Sequence, residues 1–501
     1  MKKLLTLALA AGLWTGAFAQ ESPLVTREFW QDHPSLDQVK SEWNKGFSYA
    51  QVVGSDDPLA LAVSNEAPIE VVKFLADQPD VDLTRKLHEG RIYIHLAANS
   101  GNAEATDYLL EKGSPIEYLD ANNHTAFTFA GFQGNLTVPL AEVFLKHGVD
   151  VNATYPEKLD ATILLISILY DKDLTLTDYF ISKGASINAV DNEGNTAFNY
   201  AAQSGDVEIL KALAARGAKY DDRALIKAAK GTYRTYTTVE VHKYLVDELG
   251  LSPQVKTEEG ENLLNLVTKK QNQTETVKFY LAKGVDASNV DQDGNTPFLN
   301  AAGAKDLETV TLLFPSVKDI NAANKEGVTP LIAAVQGSSA EVVSFLLAHG
   351  ADAQVKDAEG NSLIYYLAES FRTGGRGRGG NPQQAIHDFS AKMTTLKNSG
   401  LDLTAALPDR NTLYHLLAEK NNLGVLKTLE NEGIAINAVN QEGMTALHKA
   451  ALVSSDDKTL KYLVSLGADK SIATDFEETA YSLAKENEQL NRNQISVEFL
   501  K

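Results

Sequence analysis

The sequence predicts an all-α solenoid of about twelve helix-turn-helix units with short β-hairpin turns, and three regularities predict it. Glycines that close short apolar helices recur at 113, 148, 184, 217, 250, 284, 350, 400, 433 and 467, and most steps are 33 to 36 residues. A turn signature repeats in phase with them. It reads Asp191-Asn-Glu-Gly194-Asn-Thr196, Asp291-Gln-Asp-Gly294-Asn-Thr296-Pro297, Asn324-Lys-Glu-Gly327-Val-Thr329-Pro330 and Asn440-Gln-Glu-Gly443-Met-Thr445. A helix signature follows the turn, as in Phe345-Leu-Leu-Ala-His-Gly350-Ala351-Asp352 and Tyr462-Leu-Val-Ser-Leu-Gly467-Ala468-Asp469. Self-similarity at a fixed period of this size is the mark of a stacked array.

The elements follow in chain order. Lys2 and Lys3 precede an apolar run from Leu4 to Gly16, closed by Ala17-Phe18-Ala19. That is the layout of a secretory leader, so residues 1–19 are expected to be a signal peptide cut after Ala19. The short, lysine-led leader points to a bacterial periplasm, or to full secretion. Residues 20–50 are expected to hold N-terminal capping helices, with a half-unit from Ser35 to Lys45. The repeat array is placed at 51–487. Within it the unit from Asp221 to Gly250 lacks the Thr-Pro turn, and the unit from Leu159 to Gly184 has an apolar first helix. An Arg/Gly-rich insertion falls at about 371–387, with Arg372, Arg376 and Arg378. The stretch from Glu477 onward is polar, as a capping unit should be, and 488–501 reads as a polar tail.

Each position in the unit has a physical task. Asp/Asn-x-x-Gly makes a tight turn in which glycine takes a positive φ. Threonine caps the first helix, with proline at its first position. The Ala-Ala pair lets two helices approach closely. The second helix is expected to bury Val342, Phe345 and Leu346, and Gly350 to end it in a left-handed conformation. One unit alone buries too little apolar surface to offset the entropy of ordering it, so the units must stack on their neighbours.

These motifs resemble the ankyrin repeat family over roughly residues 50 to 487. The segment Thr445-Ala-Leu-His448-Lys-Ala-Ala451 lies close to the family pattern, and Ile92-Tyr-Ile-His95 and Thr412-Leu-Tyr-His415 keep its histidine. The resemblance implies an ankyrin repeat solenoid that binds another protein through its concave face and performs no catalysis. Exported bacterial members imply two roles. One is a scaffold that supports or protects a periplasmic enzyme; the other is an immunity or inhibitor protein that neutralises a toxin or enzyme.

Composition and motif searches narrow the chemistry. Of 501 residues, 66 are acidic and 46 are Lys or Arg, for a net charge of −20. General nucleic-acid affinity is disfavoured by that balance. The chain has no cysteine, which excludes disulfides and thiolate chemistry. H-E-x-x-H, G-x-S-x-G and G-K-[ST] are absent. Gly375-Arg-Gly377-Arg-Gly-Gly380 spells G-x-G-x-x-G but lacks the strand and helix that a dinucleotide site requires. No catalytic residue, metal site or cofactor is expected. His95, His415 and His448 are expected to bond neighbouring turns, and His147 and His349 to favour helix C-termini.

Candidate contacts come from the turn register. Glu193, Glu259, Asp293, Glu326, Glu359 and Glu442 occupy the hairpin tips. In a regular stack they form an acidic ridge along the concave side, flanked by the first-helix positions Phe132, Gln133, Gln203, Ser204 and Gln336. Such a ridge steers a basic or mixed protein partner. An alternative is polyanion binding through Arg372, Arg376 and Arg378. The partner is expected to be another protein, with no nucleic acid, no transmembrane segment after cleavage, and a monomeric chain.

Overall fold

In a computed structural model, residues 22–501 are described except 50, 51, 53, 55, 233–235 and 373–380. The expected leader at 1–19, and with it Arg376 and Arg378, lies outside the described residues. The chain divides into two compact units, Met1–Tyr220 and Asp221–Lys501.

The repeat anatomy is clearest around Gly327. The Asn324 side-chain oxygen accepts from the backbone N–H of Glu326 and of Val328, at 3.0 and 2.9 Å. This locks the turn, and Gly327 completes it at φ +78°. Thr329 then caps the helix Pro330–Gly337 by accepting from Ile332 N. The second helix, Ala340–Ala348, buries Val342, Val343 and Leu346. Val343 thus takes the place expected for Phe345, whose half-buried ring packs beside His349 and Phe314 instead. Gly350 N reaches Leu347 O and Ala351 N reaches Leu346 O, a paired closure with the glycine at φ +94°.

Side chains then tie one repeat to the next. Asn321 donates to Gly350 O and accepts from Asp352 N, so it grips the closing turn of the following repeat. Asn188 grips Gly217 O and Lys219 N in the same way, and Asn437 grips Gly467 O and Asp469 N.

These ties produce an all-α ankyrin-type stack. In the second unit the first helices pack in one row, Pro297–Gly303, Pro330–Gly337, Leu363–Ser370, Leu413–Ala418, Ala446–Val453 and Ala480–Glu486. The second helices Thr274–Ala282, Leu307–Leu313, Ala340–Ala348 and Pro382–Asn398 pack in another. The first unit has the same two rows, such as Tyr93–Asn99 on Ala126–Gln133 and Ala103–Glu111 on Val138–Lys146. The hairpins reach strand geometry at Thr154–Tyr155 with Ala161–Thr162 and otherwise form isolated bridges or turns. Among the described residues no helix is long and apolar enough to cross a membrane.

The ends are closed by packing. Leu24, Trp30 and Val39 are buried on the first repeat, and the Trp30 indole N–H donates to Leu24 O. At the other end, the polar stretch 488–501 packs on the helix Ala480–Glu486. Glu488–Arg492 is helical, and Leu490, Val497 and Leu500 are buried despite the polar composition around them. Three apolar side chains suffice to dock it, while Asn487 bonds Ala451 O and Ser454 O. The described residues of the 371–387 stretch belong to the repeat. Phe371 is buried against Phe389, and residues from Pro382 begin the 17-residue helix Pro382–Asn398.

The irregular repeat 221–250 is tied to the repeat after it by polar contacts. The Lys270 ammonium closes the C-terminal end of Arg223–Lys230 by donating to Ala229 O and Lys230 O. Where the middle glycine is missing, Leu307–Leu313 runs into a 3-10 turn, Phe314–Ser316, whose Pro315 stops the helix.

Candidate partner-binding face

The tip acids are positioned by main-chain atoms. In the second unit Gln292 N donates to Glu259 O at 2.8 Å, Lys325 N to Asp293 O at 2.8 Å, and Ala358 N to Glu326 O at 2.9 Å. Each acid therefore joins its tip to the next through its carbonyl, while its carboxylate is exposed to solvent. The donor slot after Glu359 is Pro408, which has no N–H. The series resumes with Gln441 N on Asp409 O and Asp475 N on Glu442 O. The first unit shows the same stitch, Ala121 N to Glu89 O and Asn192 N to Leu159 O.

The carboxylates differ in what neutralises them. Glu442 pairs with Lys449, which also holds Glu419. Glu259, Asp293, Glu326 and Glu359 form no ion pair among the described residues. A hydrogen bond from its own backbone N–H, with one from the Thr257 hydroxyl, holds the Glu259 carboxyl below its ordinary range, so it stays charged. Glu193, in the first unit, accepts from the Asn195 amide at 3.1 Å. Beside the tips stand aliphatic side chains that the pattern reading missed: Leu119 and Val190 in the first unit, and Val290 in the second, which is 59% exposed. Each directly precedes the turn acid, a position that periodicity alone does not mark as exposed.

The first-helix candidates do not all flank the tips. Gln336 is exposed at the C-terminal end of Pro330–Gly337, about 10 Å along the axis from Thr329 at ~1.5 Å per residue. Glu326 and Gln336 thus belong to opposite edges of the row. Gln336 instead shares a cavity with Arg372, a residue the sequence pattern assigns to a separate contact. In the first unit Phe132 and Gln133 end Ala126–Gln133 and are exposed. The Phe132 ring stacks near His124 and lies under the Lys158 ammonium at 5.8 Å. Gln203 is half-buried, and the Ser204 hydroxyl is spent on Ala201 O.

The histidines serve structure. Nδ1 of His95, His415 and His448 accepts from the backbone N–H of Ile92, Thr412 and Thr445. Their Nε2–H groups donate to His124 O, Met444 O and Ile472 O in the next repeat. Burial pushes all three below the ordinary imidazole range, which keeps them neutral. His147 pairs with Asp107 at 2.6 Å, and His349 bonds Phe345 O at its own helix end. Among the described residues no three His, Asp or Glu side chains gather as metal ligands.

Comparison with known families decides the assignment. The family "Ankyrin repeats (3 copies)" matches residues 59–155 and 263–357, "Ankyrin repeats (many copies)" matches 165–214, and "Ankyrin repeat" matches 442–475. Together they cover more than half of the chain. The chain belongs to the ankyrin repeat family. Among curated proteins, this ankyrin chain is 28% identical over 130 residues to the Caenorhabditis elegans transient receptor potential cation channel subfamily A member 1 homolog, over 26% of this chain and 10% of that one. It is 27% identical over 197 residues to ankyrin repeat protein nuc-2 of Neurospora crassa, covering 39% of this chain and 17% of the relative. It is 26% identical over 160 residues to the B-cell lymphoma 3 protein homolog of Mus musculus, covering 32% and 35%. The chain thus matches about a third or less of the length of these relatives. The ankyrin repeats themselves imply a protein partner.

Proposed function

We propose that this ankyrin protein is a non-catalytic interaction scaffold of a bacterial periplasm, and that the tips Glu259, Asp293, Glu326 and Glu359 hold a basic segment of a partner protein. The observation that carries this is the run of unneutralised carboxylates set in register by backbone hydrogen bonds. Val290 adds an exposed aliphatic contact within that row. Charge complementarity of this kind speeds encounter and selects against acidic partners. Export rests on the expected leader at residues 1–19. It is tested by N-terminal sequencing of the periplasmic protein, which should begin at Gln20.

The partner test is cross-linking of the tagged full chain in its native cell, followed by identification of the enriched protein. One enriched protein, lost when Glu259, Asp293, Glu326 and Glu359 are all changed to alanine, supports the proposal. A partner retained by that variant moves the contact away from the tips, and no specific partner overturns the scaffold. If the captured protein is active when free and inactive when bound, the chain is an inhibitor and not a scaffold.

A further inference from the structure

We propose that the cavity between Pro330–Gly337 and the long helix Pro382–Asn398 is a binding site for a small oxyanion, a phosphate or carboxylate group. The cavity measures about 380 Å³, and its lining includes Lys305, Gln336, Ser338, Arg372, Asp388 and Lys392. Three of those six side chains are cationic and one is acidic.

Lys392 is the buried cation of this cavity. It is only 4% exposed and sits at an apolar-register position between Phe389 and Leu396. Its ammonium donates to Val335 O at 2.9 Å. An ammonium carries three donors, so this carbonyl satisfies one of them. Burying a charge without full pairing is costly, and the cavity it lines is where an acceptor would sit. Lys305 and Arg372 are exposed, and neither side chain makes an ion pair among the described residues. Lys305 is anchored by its backbone N–H on the buried Ser338 hydroxyl, which fixes where its side chain starts. The Asp388 carboxylate accepts from Gln384 and lies 3.8 Å from His387, so it is shared with groups on its own helix.

Burial, with the Lys305 charge beside it, pushes the Lys392 ammonium down to about 8 against the weaker opposing pull of the Asp388 carboxylate. An anion in the cavity favours the charged form and raises that value. Binding near pH 8 is therefore accompanied by proton uptake.

The test is calorimetric titration of the full chain at pH 8 with inorganic phosphate and, separately, with succinate, in two buffers of different ionisation enthalpy. The expected result is saturable one-to-one binding of at least one of them, with proton uptake. Lys305→Ala with Arg372→Ala should weaken it at least about tenfold, the scale of a lost charge-assisted hydrogen bond. Both residues are exposed, so that variant should keep the wild-type melting temperature. Lys392→Met keeps the packing volume and should abolish the proton uptake. Binding of phosphate alone identifies a phosphate ligand, and binding of succinate alone a carboxylate. Absence of saturable binding of either, or binding unchanged in the double variant, overturns the proposal.

Discussion

His242 shows how a single residue joins the irregular repeat to the next one. It is fully buried, with Nδ1 2.5 Å from the Tyr280 hydroxyl and Nε2 2.9 Å from Thr237 Oγ1. Thr237 donates its own proton to Ala228 O, so it must accept from Nε2–H. Nδ1 is then the acceptor for Tyr280 O–H, and both ring nitrogens of His242 are matched. Burial pushes the imidazole down to about 3, consistent with a neutral ring that has no acceptor for a second proton. Tyr280→Phe should cost about 1–3 kcal/mol in chemical denaturation, because it strands a buried acceptor. The roles of His95, His415 and His448 were legible because the repeat pattern marks their position. His242 was not, since its repeat lacks the pattern and its partners lie outside the local register. Lys392 did leave a signal: Phe389, Lys392, Met393 and Leu396 are spaced i, i+3, i+4 and i+7, so a lysine occupies the apolar stripe of its helix.

At the scale of the element, the turn and the helix end use glycine for different reasons. Gly350 has a positive φ but open space around it, whereas a Cβ on Gly327 would collide with Ala358 N and come within 2.8 Å of Asp357 C. Gly350→Ala should therefore lose only the left-handed penalty of about 1–2 kcal/mol. Gly327→Ala should lose clearly more, because it also parts two repeats, and urea melts of the two variants would rank them. Equal losses would contradict the close approach. The interrupted ladder gives a second prediction at this scale. Hydrogen exchange should find the Gln292, Lys325 and Ala358 amides protected, with the tip around Glu359 opening sooner because Pro408 gives its carbonyl no donor. Beside that gap lies a cavity of about 310 Å³ lined by Gly360, Leu407 and Pro408. The turns and caps were readable from sequence, and Pro408 was visible in it. Its effect was not, because the bond it removes joins residues about one and a half periods apart.

For the whole molecule, the buried histidines set a pH dependence. His95, His415, His448 and His242 all have folded values below the unfolded one of about 6.5. Below that pH the unfolded chain binds protons that the folded chain refuses, so stability present above pH 6.5 is lost as the pH falls. Asp57, pushed up by burial, acts in the opposite sense over its own range. Thermal melts should show a clear drop in midpoint from pH 7.5 to pH 5, and His448→Gln should flatten part of that slope. A midpoint independent of pH across that window would refute the neutral assignment. The fold class of the array was legible, since a period of 33 to 36 residues leaves few other folds. The candidate face was legible only in part. The tips follow from the register, but which carboxylates are neutralised depends on lysines such as Lys449, whose reach the register does not encode.

Glu259, Asp293 and Glu326 bind their neighbours through carbonyl oxygens, and Gln292, Lys325 and Ala358 answer through amide nitrogens. Every amino acid supplies the first group and every one but proline supplies the second. Inheritance can therefore exchange the outward side chains one at a time, altering what the surface recognises while the frame that displays it passes on unchanged.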